Sequence, residues 1–195
     1  MRKQLLIVFA GLLLSPSASG QSPQVRPVVH VQADLSEHWF LPVWSVTNVR
    51  GKLPDNTNLF GGIGYRQKSW WAEIMVQRQW GRNRSEWMPD VRVQARPSPK
   101  LSVFGEWAYP ISQKAHYNMV IVDYHISSRW GIGVETENLH RSGRDLLGGG
   151  PRISLPVFRS SQSTLNLAVG YQMRPRERDV VRFYLVFNHR MKLKR

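Results

Sequence analysis

The chain of 195 residues contains no cysteine. That excludes a disulfide framework, a thiolate metal site and a lipid anchor attached through sulfur. Nor does it carry the roughly 20 apolar residues in a row that a membrane-crossing helix needs. Its mean hydropathy of −0.37 argues against a helical membrane protein but says little about a barrel, whose inward half is polar. Acidic residues are scarce, 13 Asp+Glu against 27 Lys+Arg, for a formal net charge of +14. Such an excess calls for anionic partners without choosing among them. The 6 His include no pair at metal-ligand spacing, and Gly148-Gly149-Gly150 is followed by neither a Lys-Ser pair nor a helix, so it is no phosphate cradle. No metal or cofactor is expected. The arginines are spread over strands and loops without a recognised nucleic-acid module, so no nucleic-acid partner is expected either.

What the sequence does contain begins with a secretory layout. Met1-Arg2-Lys3 gives a positive start, residues 5–14 an apolar core, and Ala18 and Gly20 suit cleavage before Gln21. Residues 1–20 therefore read as a signal peptide and 21–38 as an N-terminal extension, in which Val28 to Val31 allow only a short strand. From Trp39 to Met191 a period of two takes over. It is cleanest in the last hairpin, where Leu165, Leu167, Val169 and Tyr171 oppose Asn166, Ala168, Gly170 and Gln172, and where Val181, Phe183, Leu185 and Phe187 oppose Arg182, Tyr184, Asn188 and Arg190. This alternation belongs to strands. Residues 192–195 form a basic tail.

About ten strands follow from this reading, with eight to twelve as the range, and the connections between them alternate between long polar loops and short turns. The long ones are placed at 51–58, 81–90, 110–116, 140–149 and 175–179. One face of the strands is almost free of charge, Arg78 being the main exception. The other collects Arg66, Glu73, Arg92, Arg96, Glu106, Asp123, Glu135, Glu137, Arg152, Arg174, Arg182 and Arg190. A soluble sandwich would turn the second face to water. An outer-membrane barrel would turn it to a lumen, with lipid on the first. Trp39, Trp70, Trp80, Trp107, Tyr109, Trp130 and Tyr171 lie near strand ends, where girdles at membrane interfaces belong. The expected fold is therefore all-β, an antiparallel up-and-down transmembrane β-barrel.

In this architecture the chain resembles small bacterial outer-membrane β-barrel proteins over nearly its whole mature length. It departs from them after Phe187, where such barrels finish on an aromatic residue and this chain continues through His189 and Arg190 into the basic tail. A second likeness is local. His125 and Ser127, with Asp123 two residues earlier, supply the residue types of nucleophilic catalysis, and the His-x-Ser pair resembles that of outer-membrane lipid A deacylases. There an Asn-Ala-Gly stretch follows; here Ser128, Arg129 and Trp130 stand instead. Residues two apart on a strand lie about 6.6 Å apart, which makes a proton handoff along one strand awkward.

The expectation is an outer-membrane protein, structural or a narrow channel for small, preferably anionic solutes, rather than an enzyme. A membrane-embedded lipid hydrolase and a soluble periplasmic barrel binding an acidic ligand are the alternatives. Arg82, Arg84, Arg141, Arg144, Arg176 and Arg178 are expected in surface loops, where clustered guanidiniums suit the phosphates of lipopolysaccharide. The other expected partner is outer-membrane lipid.

Overall fold

The computed structural model describes residues 23–50, 53–81, 84–112, 114–175 and 177–193, with the side chains of Leu53, Arg84 and Arg144 left aside. The expected signal peptide, Arg82 and Arg176 lie outside the described residues, as does the end of the basic tail. No helix occurs among them. The strands are β1 (Gln24–Asp34), β2 (Trp39–Arg50), β3 (Leu53–Arg66), β4 (Trp70–Gly81), β5 (Arg84–Ser98), β6 (Leu101–Ala108), β7 (His116–Ser127), β8 (Trp130–Arg141), β9 (Arg144–Leu146), β10 (Gly149–Arg159), β11 (Ser163–Gln172) and β12 (Val180–Lys192).

Each strand pairs with the next except that β9 and β10 both pair with β8, and the sheet closes on itself. The short β9 continues the hairpin of β8, and β10 takes over the same edge of β8 two residues later, pairing Gly149 with Thr136 and Ser154 with Gly131. Together β9 and β10 make one interrupted stave, so the wall has 11 staves. An odd number has a geometric consequence. In an up-and-down chain the first and last of eleven run the same way, so β1 and β12 meet in parallel, Gln24 beside Arg182 through to Asp34 beside Lys192. All other ladders are antiparallel. The barrel is mixed, not purely antiparallel as expected.

Two expectations about organisation are corrected. Residues 21–38 are no extension, because β1 occupies Gln24–Asp34 and supplies the closing stave. Pro27 sits where the β1–β2 ladder skips Arg26 and Pro27 between the Val25–Val49 and Val28–Val46 pairs. A missing N–H is tolerated at such a break. The expected contrast of long and short connections is also weaker. Strand pairing runs on through most of 53–58, 84–90 and 144–146, where polar residues such as Asn56, Asn58 and Glu86 interrupt the apolar alternation but leave the backbone ladder intact. Two seven-residue connections, 109–115 and 173–179, remain at one end. The other end has turns of two to four residues, at 35–38, 67–69, 99–100, 128–129 and 160–162.

The burial pattern is inverted relative to a water-soluble barrel. Glu73 and Glu135 are 0% exposed and Arg92 and Arg182 1%, whereas Ile74 is 67%, Val134 55% and Val76 54% exposed. Outward positions carry apolar side chains on every stave. Inside, Val28, Trp44, Phe60 and Met75 form a small apolar cluster surrounded by charge.

Candidate functional site

The ladder registers bring the inward charges into rows. Glu73 lies opposite Arg92, Arg92 opposite Glu106, Glu106 opposite Met119 and Met119 opposite Glu137. Cross-strand neighbours on one face are close enough to interact, so an acid-base-acid sequence across three strands neutralises itself. Arg92 donates from Nε to Asp90 at 3.0 Å and from one terminal nitrogen to Glu106 at 3.0 Å. Its guanidinium also lies over the rings of Phe60 and Trp44, at 3.9 and 4.5 Å from their centroids. Trp44 donates its indole N–H to Glu73 at 2.7 Å, and His30 stacks on Trp44 with centroids 3.6 Å apart while standing 3.3 Å from Glu73. Arg92 thus has both counter-charges and ring faces, as burial demands.

A second network occupies the opposite wall. Arg152 and Arg182 lie in one row on either side of Gly170, which pairs with both. A Cβ on Gly170 would stand 2.7 Å from a carboxylate oxygen of Glu135. The glycine is thus a gap through which Glu135 reaches between two guanidiniums, meeting Arg152 at 3.3 Å and Arg182 at 3.8 Å. Arg152 also forms an ion pair with Asp123 at 3.1 Å. Glu137 is held by Arg182 and by Arg26, the latter at 3.1 Å, and accepts a bond from the Tyr117 hydroxyl at 2.8 Å. Tyr184 and Gln172 donate to Glu135 at 3.0 and 3.1 Å. Near the short-turn end, Asp34 joins Arg66 at 2.6 Å and Arg190 at 2.7 Å.

Between these networks and the two ends lies a cavity of about 1160 Å³. Its lining reaches Lys100 and Ser128 at the short-turn end and Arg50, Arg174 and Glu177 at the other. Eleven Lys or Arg against five Asp or Glu line it. Several carboxylates, Glu73, Glu135 and Asp90 among them, stand behind this lining, so the surface offered to a solute is more basic than the interior as a whole.

All the expected lumenal residues face inward: Arg66, Glu73, Arg92, Arg96, Glu106, Glu135, Glu137, Arg152, Arg182 and Arg190 along the wall and Arg174 at the mouth, where it bonds Gln172 and Glu177. The loop set fares less evenly. Arg178 is exposed, but Arg141 lines the cavity, and the backbones of Arg84 and Arg144 belong to strands. Asp123, His125 and Ser127 are not assembled into a triad. Ser127 accepts the backbone N–H of Arg129 in the β7–β8 turn, Asp123 serves Arg152, and His125 Nε2 stands 3.3 Å from Ser102 on β6. The inward residues that sequence reasoning passed over are Gln24, Arg26 and His30 of β1, together with Asp34 and Asp90. Alternation of Gln24, Arg26, Val28, His30 and Gln32 with Val25, Val29 and Val31 is the signal that was there to find. Among the described residues no group of three metal-ligating side chains occurs. Compared with protein-family models, curated proteins and solved structures, the chain finds no match.

Proposed function

We propose that the protein is an integral outer-membrane β-barrel whose interior forms a narrow path favouring small anions. The observation that carries this reading is the inversion of burial, with an apolar exterior on every stave and an interior of paired charges. Only a closed barrel or a helix can cross hydrocarbon with every backbone group satisfied, and this sheet closes. The outward aromatics support the same reading. Trp39, Tyr65 and Trp70 touch one another at the short-turn end, with centroids 5.0 and 5.7 Å apart, while Trp80, Trp87, Trp107 and Tyr171 stand toward the other. Ten residues of β4 separate Trp70 from Trp80, roughly 33 Å along the strand; at a tilt of about 40° this spans roughly 25 Å, the height of the apolar band in outer-membrane barrels. A secretory layout at residues 1–20 agrees with export.

The preference for anions rests on the basic lining of the cavity. In a confined low-dielectric space an excess of fixed guanidinium charge raises the local anion concentration, and Arg92 and Arg182 are held rigidly enough by their carboxylates to act as fixed charges. The test is a planar-bilayer recording of the refolded protein across a tenfold potassium chloride gradient. The expected reversal potential has the sign of chloride permeation. A conductance selective for potassium overturns the anion preference, and a folded barrel with no conductance makes the protein structural. A protein that stays soluble without detergent overturns the membrane reading itself.

A further inference from the structure

The outward apolar band contains a gap. On β2 to β5 a groove of about 530 Å³ opens on the exterior, bounded by Val43, Leu59, Gly61, Val76, Arg78 and Trp80. Its floor is Gly61, which lies between Val43 and Val76 in one row of the ladder, and a Cβ added there would meet nothing within 4 Å. The next row toward the long-connection end is Ser45, Leu59, Arg78 and Trp87; the one beyond is Thr47, Thr57, Trp80 and Ser85. The exterior therefore changes within three rows from an apolar slot to a patch of hydroxyls around a single arginine.

Arg78 is a charged side chain that faces outward from this apolar part of the wall. It has no carboxylate partner among the described residues. Its guanidinium lies 4.8 Å over the Trp87 ring and contacts the Ser85 hydroxyl. A cation facing hydrocarbon is costly unless an anion meets it, and arginine offers a planar fork suited to phosphate. Resting on the membrane reading above, with the long connections outside, we propose that this groove seats one acyl chain of a phosphorylated glycolipid. Arg78 binds the phosphate, and the hydroxyls of Ser45, Thr47, Thr57 and Ser85 face its sugar. The slot and the cation lie in adjacent rows, so the acyl chain and the phosphate that heads it are bound side by side along the wall, in the order a lipid of the outer leaflet presents them.

The experiment uses protein refolded in a neutral detergent, stripped of lipid and incubated with bisphosphorylated lipid A, dephosphorylated lipid A or phosphatidylglycerol, with retained lipid counted by native mass spectrometry. Wild type is expected to keep one bisphosphorylated lipid A, and Arg78→Gln and Gly61→Leu are each expected to lower retention by about tenfold or more, the loss of a charge-assisted contact or of the slot. Gly61→Leu fills the groove without a backbone clash, and the gel shift between boiled and unboiled samples shows that both variants still close. Equal retention by closed variants overturns the proposal, as does equal retention of either control lipid. A wild type that never gains the gel shift overturns the membrane reading, and the proposal with it.

Discussion

Glu135 neutralises two guanidiniums at once, in the gap left by Gly170. Replacing it with alanine leaves Arg152 with Asp123 and Arg182 with Glu137 as their remaining carboxylates. Removing one partner of a buried network costs about 3–5 kcal/mol, and Glu135→Ala is expected to lower the urea midpoint of the refolded barrel accordingly. Glu135→Gln keeps an acceptor oxygen for Tyr184 and Gln172 and is expected to lose less. A midpoint unchanged in both variants would mean that the networks fill the interior without holding it. At this scale the sequence is half legible. That Glu135, Arg152 and Arg182 point the same way follows from alternation alone. Which acid meets which base does not, since Arg26 and Glu137 are 111 residues apart and only closure makes them neighbours. The same blindness misled the search for a nucleophile. Ser127 is near His125 in the chain, but Ser102 is near it in space, because the β6–β7 ladder sets Ser102 against Asp123.

A single strand, β4, separates the membrane reading from a soluble one. Ile74 lies opposite Ile63 and Val91, between Trp70 and Trp80. If hydrocarbon covers it, Ile74→Arg is expected to destabilise the barrel by about 2–4 kcal/mol, whereas Thr57→Arg, level with Trp80, costs about 0–1 kcal/mol. Unfolding both in phospholipid vesicles by guanidinium checks the difference. In a soluble barrel the two substitutions would be alike. The strands with an apolar face could be read in sequence because period two needs only side chains. Their full lengths could not, because beyond the apolar band the ladder of β3, β5 and β9 continues through Asn, Asp and Glu, and pairing of backbones leaves no mark on composition. β1 was hidden for another reason: its inward residues are as polar as a linker's, and Pro27 resembles a break until the neighbouring ladder is seen to skip it.

Over the whole molecule, parity governs topology. Eleven staves put the start of β1 at the end that carries the 109–115 and 173–179 connections and the close of β12 at the other. With the barrel in a membrane, an epitope inserted before Gln24 and one added after Lys192 face opposite sides. Protease added to intact cells is expected to remove the first and spare the second. Removal of both, or of neither, would contradict the odd count, since an even barrel returns both ends to one side.

The seam has a consequence in time as well as in space. Ten of the contacts that build the wall join strands adjacent in the chain, through turns short enough to form one after another. The last joins Gln24 to Arg182 across 158 residues. Closing a loop of that length costs about 2.5 kcal/mol more than closing one of ten residues, by the logarithmic law for flexible chains, and its reward arrives only when every intervening strand is laid. Until then β1 stands with one edge of its backbone unpaired. The step that sets the pace of assembly is therefore the meeting of the first strand with the last, and substitutions along β1 are expected to slow closure where equal losses inside a hairpin already formed leave the rate of opening unchanged.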